Sequence, residues 1–167
     1  IRRDKVLEDA FNNFYSLGDG LKEPLSITFK DKFGNFEAGI DGGGVTKEFL
    51  NTYTREAFTP GEGISCFVVN DHNLVYPNSA ALDMQKQRLK IAGVKEGEPR
   101  WNEELTKILK MYEFMGRVIG KCLYEGILVD IGFAGFFLLK WAKAATSGSS
   151  AESRYQAAIN DLRDLDE

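Results

Sequence analysis

Hydrophobic residues at the start of the chain recur with the period of a helix. They fall on one face of a predicted helix at Leu7, Ala10, Phe11 and Phe14. Asp4 precedes this stripe and is predicted to cap the helix, and Gly18 and Gly20 are predicted to end it. The chain therefore opens with a predicted amphipathic helix that packs one side on a core.

Two pairs of short segments then alternate with the period of two that is typical of strands. Apolar side chains alternate with polar ones over residues 25–29 and again over 36–40, with a predicted loop at 30–35 between them. A second pair covers residues 66–69 and 74–76, and the Asn-Asp-His-Asn sequence between its members is typical of a turn. We predict two β-hairpins.

Helical patterns dominate the second half of the chain. Residues 101–125 carry two apolar stripes, so this helix is predicted to be buried on most sides. Gly116 and Gly120 lie on one of its faces and are predicted to let another element approach closely. An aromatic-rich helix is predicted at 133–143 and, after a Ser/Gly-rich break, a polar helix at 151–165.

Residues 80–100 break this helical pattern. Their polar runs are interrupted by Gly93 and Pro99, and their few apolar positions are predicted to support one short element. We predict a solvated surface excursion here. A contact with a substrate or a regulator is the alternative, since binding residues are often carried on surface loops.

A glycine-rich turn that leads into a helix is the most informative local pattern. Gly42, Gly43 and Gly44 follow Asp41, and an apolar stripe of helical period starts at Val45. Consecutive glycines indicate a backbone that bends sharply, and the Asp41 carboxylate favours the positive end of the helix dipole. We predict a structural turn at these four residues. Phosphate binding is disfavoured, because the glycines fit no nucleotide-binding pattern and Asp41 would repel a phosphate.

Composition excludes some classes of function without selecting one. The chain has 167 residues, 28% of them charged, and a net charge of −4, which gives no support to nonspecific nucleic-acid binding. Charged residues interrupt even its most apolar stretch, residues 111–141, so no membrane span is predicted. Two cysteines far apart in sequence predict neither a disulfide framework nor a zinc site, and they favour the cytoplasm or the nucleus.

Five blocks of sequence together carry a resemblance to a known family. They are R-D-K-V-L-E-D-A-F at 3–11, D-G-G-G-V-T-K-E-F at 41–49, L-V-Y-P-N at 74–78, Y-E-F-M-G-R-V-I-G-K at 112–121 and L-Y-E-G-I-L-V-D at 123–130. In this order they resemble the N-terminal lobe of the HECT ubiquitin ligases. The resemblance implies an α+β, helix-dominated lobe with short antiparallel β-hairpins, the large subdomain of that N-lobe.

On this resemblance, residues 1–167 are a partial HECT domain. The family carries ubiquitin as a thioester on a cysteine of a C-terminal lobe, near a T-C-x-N type sequence that does not occur here. The catalytic lobe and the subdomain that binds the conjugating enzyme are therefore expected outside this sequence. The resemblance implies no metal or organic cofactor. Its implied partners are ubiquitin, a ubiquitin-conjugating enzyme through the missing subdomain, and protein substrates.

The cysteines and the histidine favour structural roles over catalysis. His72 is the single histidine, so Cys66 and His72 are the one available nucleophile–base pair, and no third residue is suggested to orient the base. Cys66 and Cys122 are predicted to be buried small hydrophobes. A self-contained hydrolase that uses Cys66 is the competing hypothesis.

Charged residues likewise favour structural pairing. Glu37, Asp41 and Glu48 are of the residue type used as paired catalytic carboxylates, but pairing with a lysine or arginine or bonding to backbone amides is favoured. Arg117 lies on an otherwise apolar helix and is predicted to pair with a carboxylate, because an unpaired buried charge is costly.

One surface is a candidate for noncovalent ubiquitin binding. In some HECT ligases an aromatic residue at the position matching Phe133 helps to hold ubiquitin, and Leu74 and Tyr76 fall in the corresponding neighbourhood. The resemblance thus implies a candidate site at these three residues, with burial of Phe133 in the core as the alternative.

The resemblance as a whole implies the scaffold part of a HECT ubiquitin ligase, inactive alone. Such a ligase transfers ubiquitin from a conjugating enzyme, through a cysteine thioester, to substrate lysines. The alternative is a non-catalytic HECT-like module that binds ubiquitin or a regulator.

Overall fold

Helices make up most of the regular structure. The computed structural model describes residues 1–37, 43–61 and 65–139. In chain order the elements are α1 (Val6–Phe14), a 3₁₀ helix (Tyr15–Lys22), α2 (Gly44–Phe58), β1 (Phe67–Val69), β2 (Val75–Pro77), α3 (Ala81–Ile91) and α4 (Pro99–Tyr124). The α+β, helix-dominated architecture predicted from the sequence is confirmed.

The first helix forms as predicted, but its N-terminus is built differently. The residue before α1 is Lys5, and no side chain caps the helix, so the predicted cap at Asp4 is wrong. Arg2 instead bonds to Asp9 with its backbone amide, at 2.7 Å, and with its guanidinium. The chain passes directly into the 3₁₀ helix, which is interrupted at Gly18, where φ is 55° and ψ is −121°. Gly18 therefore ends the first helical run as predicted, and Gly20 lies beyond that break.

The main core lies between α1, α2 and α4. Phe49 and Leu50 of α2, with Phe114 and Val118 of α4, are at most 2% exposed. Aromatic rings in this core pack edge to face. The ring centroids of Tyr53 and Phe114, for example, lie 5.6 Å apart. Burying each such side chain stabilises the fold by about 1.5–3 kcal/mol. The apolar stripes of α4 therefore form the centre of the domain.

The two predicted hairpins have different outcomes. β1 and β2 pair in antiparallel register, with Phe67 opposite Pro77 and Val69 opposite Val75, so the second hairpin is confirmed. Of the first, the described residues show an antiparallel bridge between Lys30 and Phe36 and a bond from the Glu37 amide to the Phe29 carbonyl at 3.0 Å. Its alternating pattern agrees with the burial of Ile27 and Phe29. The rest of its predicted second strand, residues 38–40, lies outside the described residues.

Residues 80–100 differ most from the prediction. They contain α3, a regular helix of 11 residues, rather than an excursion with one short element. Leu89, Val94 and Trp101 form a small separate core, against which Leu105 packs. Because only a narrow stripe of α3 is buried, its polar positions outnumber its apolar ones and hide the helical period.

α4 is the element that the sequence predicts best, at Pro99–Tyr124 against a predicted 101–125. Apart from the adjacent residues and the backbone of α4 itself, no described atom lies within 4 Å of a Cβ placed on Gly116 or Gly120. No described element therefore approaches these two glycines closely. After α4, residues 135–139 are helical, and the rest of the predicted 133–143 and 151–165 helices lies outside the described residues.

Candidate functional site

The glycine turn precedes α2 and is sharp at one described position. Gly43 has φ 94° and ψ −17°, in the left-handed region that favours glycine. Its carbonyl accepts a hydrogen bond from the Lys47 amide at 3.2 Å, which fixes the first turn of the helix. Gly44 is the first helical residue and has no positive φ. Asp41 and Gly42 lie outside the described residues.

An arginine joins two carboxylates next to this turn. The Arg3 guanidinium donates to both Glu37 carboxylate oxygens, at 2.6 and 2.7 Å, and to Glu48 at 2.7 Å. It also stacks 4.1 Å above the Phe29 ring. The bonds from Arg3 lower the pKa of Glu37. Glu37 and Glu48 are therefore paired with a cation, as predicted, and do not form an acid–base pair.

Both thiols are buried in apolar surroundings. Cys66 is 4% exposed and Cys122 0%. Burial raises the pKa of both thiols, that of Cys122 to about 11, so both stay protonated at neutral pH. His72 lies exposed at the β1–β2 turn, and no hydrogen bond among the described residues joins it to Cys66. The predicted burial of both cysteines is confirmed.

The hairpin brings the three predicted ubiquitin-site residues to one edge of the lobe. Val75 donates its amide to the Gly132 carbonyl at 2.7 Å, and the Ala134 amide donates to the Val75 carbonyl at 2.9 Å. These bonds hold Phe133 alongside β2, next to Leu74 and Tyr76. Leu74, Tyr76 and Phe133 thus lie near one another at the surface of the domain.

Their side chains nevertheless point to different environments. The half-buried Phe133 ring packs against Phe58, 5.4 Å between centroids, and against Phe137 at 5.6 Å. Tyr76 follows the buried Val75, so it lies on the opposite face of the strand, where its ring meets Phe136 at 5.7 Å. The sequence analysis predicted a helix at 133–143, which contains Phe136, without giving Phe136 a partner. The alternation of side chains along β2 is the sequence signal that could have placed Tyr76 on the face opposite the buried Val75, where Phe136 lies.

Lys121 is a buried cation that sequence reasoning does not single out. It is 3% exposed, and its ammonium group donates to the carbonyl oxygens of Lys22 and Glu23 at 3.1 and 2.9 Å. Glu125 supplies the balancing charge at 2.5 Å. Lys121 thus ties the end of α4 to the end of the 3₁₀ helix. Lys121 follows Val118 by three residues and Phe114 by seven, a spacing that puts it on their apolar face of the helix, and this was the available signal.

The predicted pairing of Arg117 is confirmed. Its guanidinium bonds to the Glu113 carboxylate one helical turn away, at 2.6 Å, and to the Tyr15 carbonyl at 3.1 Å. The Tyr15 hydroxyl donates to the same carboxylate at 2.8 Å. This network holds the 3₁₀ helix against α4.

No cluster of three or more His, Cys, Asp or Glu side chains among the described residues has the arrangement of a metal site. None of the described helices is long and apolar enough to cross a bilayer.

Comparison with known proteins identifies the family. A sequence profile described as HECT-domain (ubiquitin-transferase) matches residues 51–167. The E3 ubiquitin-protein ligase HUL5 of Saccharomyces cerevisiae is 44% identical over 140 residues, which are 84% of this chain and 13% of that protein.

Two other relatives are also named as E3 ubiquitin ligases. The probable E3 ubiquitin protein ligase C167.07c of Schizosaccharomyces pombe is 40% identical over 141 residues, 84% of this chain and 12% of that protein. The E3 ubiquitin-protein ligase UPL6 of Arabidopsis thaliana is 35% identical over 167 residues, 99% of this chain and 13% of that protein. The chain thus spans 12–13% of the length of these curated relatives. Because the profile covers most of the chain and the relatives align across it, the chain belongs to the HECT-domain (ubiquitin-transferase) family.

Proposed function

We propose that this chain is the large subdomain of a HECT N-lobe and serves as the scaffold of a ubiquitin ligase. The parent protein takes ubiquitin from a conjugating enzyme as a cysteine thioester and passes it to substrate lysines. The observation that carries the proposal is the 35–44% identity to three proteins named as ubiquitin ligases, of which this chain matches a small part.

The buried thiols support a scaffold role for this part of the protein. A cysteine that accepts ubiquitin must be accessible and partly ionised, because the thiolate is the nucleophile. Cys66 and Cys122 meet neither condition. We therefore assign the transferring cysteine to a part of the protein outside residues 1–167. The proposed partners are ubiquitin, a conjugating enzyme that binds outside this chain and protein substrates, in the cytoplasm, the nucleus or both.

The parent protein provides the test. Its coding sequence is expected to contain a downstream T-C-x-N type sequence, and replacing that cysteine by alanine should abolish ubiquitin transfer. The matched control replaces Cys66 and Cys122 together by alanine and should retain transfer, with folding checked by circular dichroism. A folded control that has lost thioester formation would contradict the proposal.

A second candidate, a ubiquitin-binding module, is favoured by the aromatic pair on the outer face of the hairpin. Tyr76 and Phe136 are both half-buried and meet there at 5.7 Å, beside Leu74. Such a patch fits an apolar protein surface, and one anchor residue usually dominates a weak contact of this kind. Phe133 would support the patch from the core side, because it bridges Val75, the residue before Tyr76, and packs against Phe137, the residue after Phe136.

Titration of labelled ubiquitin with this chain, followed by NMR, tests the second candidate. Tyr76→Ala is expected to reduce the chemical-shift changes strongly, and Phe133→Ala to reduce them less. His72→Ala, on the exposed turn of the same hairpin, is the matched control. If the unmodified chain causes no chemical-shift changes in ubiquitin, the second candidate is wrong and only the scaffold role remains.

A further inference from the structure

A pocket of about 430 Å³ lies between the 3₁₀ helix and α4. Its volume falls within the range of roughly 300–1,000 Å³ that is typical of small-molecule sites. The larger part of its surface is apolar, and it is lined by Leu21 from the 3₁₀ helix and by Tyr124 from the end of α4. The pocket is thus large enough, and apolar enough, to hold a ring system.

Two glycines help to open this pocket. Gly18 has φ 55° and ψ −121°, which interrupts the 3₁₀ helix, and Gly120 lines the pocket from α4. Apart from the adjacent residues and the helix backbone itself, no described atom lies within 4 Å of a Cβ placed on either glycine. Because no described side chain fills the space beside Gly120, that space is open to a ligand.

Positively charged side chains outnumber negatively charged ones at the pocket. Lys22, Arg117 and Lys121 line it, whereas Asp19 is the one carboxylate among its described lining residues. The carboxylates that pair with Arg117 and Lys121 are not part of this lining. The lining charges therefore favour an anionic group over a cationic one.

Lys22 is the cation best placed to bind such a group. The three protons of the Lys121 ammonium are used by two carbonyl oxygens and one carboxylate. The Arg117 guanidinium is likewise held by a carboxylate and a carbonyl oxygen. The Lys22 ammonium, by contrast, is exposed and lies 3.5 Å from the exposed Asp19 carboxylate. Exposed ion pairs of this kind are weak, so Lys22 can turn to a ligand at little cost.

We propose that this pocket binds a small organic anion with a flat apolar body. The body packs against Leu21 and Tyr124 beside the gap at Gly120, and the anionic group lies near Lys22. The Tyr124 ring is largely exposed, and stacking on it favours a ring system over an alkyl chain. Such a ligand contacts both the 3₁₀ helix and α4, and its binding does not depend on the proposed role in ubiquitin transfer.

Titration of the full chain with two fluorescent dyes tests the charge preference. Anilinonaphthalene sulfonate has a flat apolar body and one anionic group, and phenylnaphthylamine has the same rings without the sulfonate. Lys22→Glu is expected to weaken binding of the sulfonate dye at least fivefold and that of the neutral dye less than twofold, because charge reversal acts on the anion. Lys107→Glu changes the net charge equally at an exposed position of α4 outside the pocket, so it should change neither affinity more than twofold. Equal effects of the two substitutions, or of Lys22→Glu on the two dyes, would overturn the proposal.

Two adjacent residues at the end of α4 test the location of the dye. Tyr124 lines the pocket, whereas Leu123 is similarly exposed but lines a separate apolar groove between α4 and the hairpin. Tyr124→Ala is expected to weaken binding of the sulfonate dye at least threefold, and Leu123→Ala less than twofold. Thermal melts establish that each variant is folded, because partly folded chains also bind this dye. A larger effect of Leu123→Ala than of Tyr124→Ala, or no binding by the unmodified chain, would show that the pocket is not the site.

Discussion

At the residue scale, a few charged side chains connect parts of the chain that are distant in sequence. Arg2 joins the first residues to α1, Arg3 joins them to α2, and Lys121 joins the 3₁₀ helix to α4. Each of these cations has more than one partner, so the loss of one side chain leaves several groups unsatisfied.

Lys121→Met should therefore be strongly destabilising. The methionine keeps the volume but leaves the Lys22 and Glu23 carbonyl oxygens without this donor and Glu125 without its ion-pair partner. We expect a loss of about 2–4 kcal/mol in the free energy of unfolding, measured with urea. Lys107→Met, at an exposed position of the same helix, should change it by less than about 0.5 kcal/mol. Equal effects of the two substitutions would contradict the bridging role.

Gly43 should be the sensitive glycine of the turn. Gly43→Val forces a β-branched residue to φ 94° and should cost more than about 1 kcal/mol. Gly44→Ala puts a good helix former at the first helical position and should be neutral or stabilising. Thermal melts compare the two variants. If Gly43→Val melts like the unmodified chain, the turn is not structurally required and a ligand role for it reopens.

Asp9 should make stability depend on acid pH. Its hydrogen bonds from Arg2 lower its pKa from 3.8 to about 2, so protonation is easier in the unfolded chain than in the folded one. The resulting stability is present above about pH 4 and disappears as the pH falls through 2.

Asp9→Asn tests this dependence directly. After allowance for solvent screening around the half-exposed Arg2, we expect a loss of about 1 kcal/mol at pH 7. The difference between the variant and the unmodified chain should shrink towards pH 2. A difference that stays constant from pH 7 to pH 2 would mean that the carboxylate charge is not the cause.

At the scale of the elements, α3 is the part that depends least on the main core. Its buried contacts run through Leu89 to Val94 and Trp101, and among the described elements its main packing partner is α4. Local opening of such a unit requires less free energy than global unfolding.

Leu89→Ala should therefore loosen α3 without unfolding the domain. A leucine-to-alanine change in a core costs about 2–5 kcal/mol, and the small size of this core makes the lower value the expected one. Hydrogen exchange should speed up across Ala81–Ile91 and stay unchanged in α1 and α2. Leu82→Ala, outside this core, is the matched control. Uniform acceleration across all helices would show that α3 is an integral part of the main core.

Element by element, predictability follows the density of buried side chains. α4 was predictable because its stripes carry several buried residues on successive turns. α3 was not, since Ala81 and Leu89 are its only two buried residues and Ile91 is 87% exposed. The first hairpin was predicted because Ile27 and Phe29 are buried, but among the described residues their segment has only isolated bridges, from Lys30 to Arg2 and to Phe36. The period of the apolar positions indicates which side chains are buried. Regular secondary structure forms only where many side chains are buried.

At the scale of the whole molecule, the order of the sequence blocks identified the family, while the geometry of the candidate surface needed the structure. The position of Phe133 beside β2 was implied by the resemblance, but the direction of its ring depends on Phe58, 75 residues away in sequence. No local pattern carries such a long-range contact. For the same reason, the sequence predicted that Glu37 and Glu48 pair with a lysine or an arginine, but it did not identify Arg3 as that partner.

We propose that this chain supports ubiquitin transfer without carrying ubiquitin itself. The direct measurement is incubation of the chain with ubiquitin, activating enzyme, conjugating enzyme and ATP, followed by a non-reducing gel. We predict no ubiquitin adduct that reducing agent removes, because Cys66 and Cys122 are buried and protonated. A reducible adduct that disappears with Cys66→Ala or Cys122→Ala would contradict the claim.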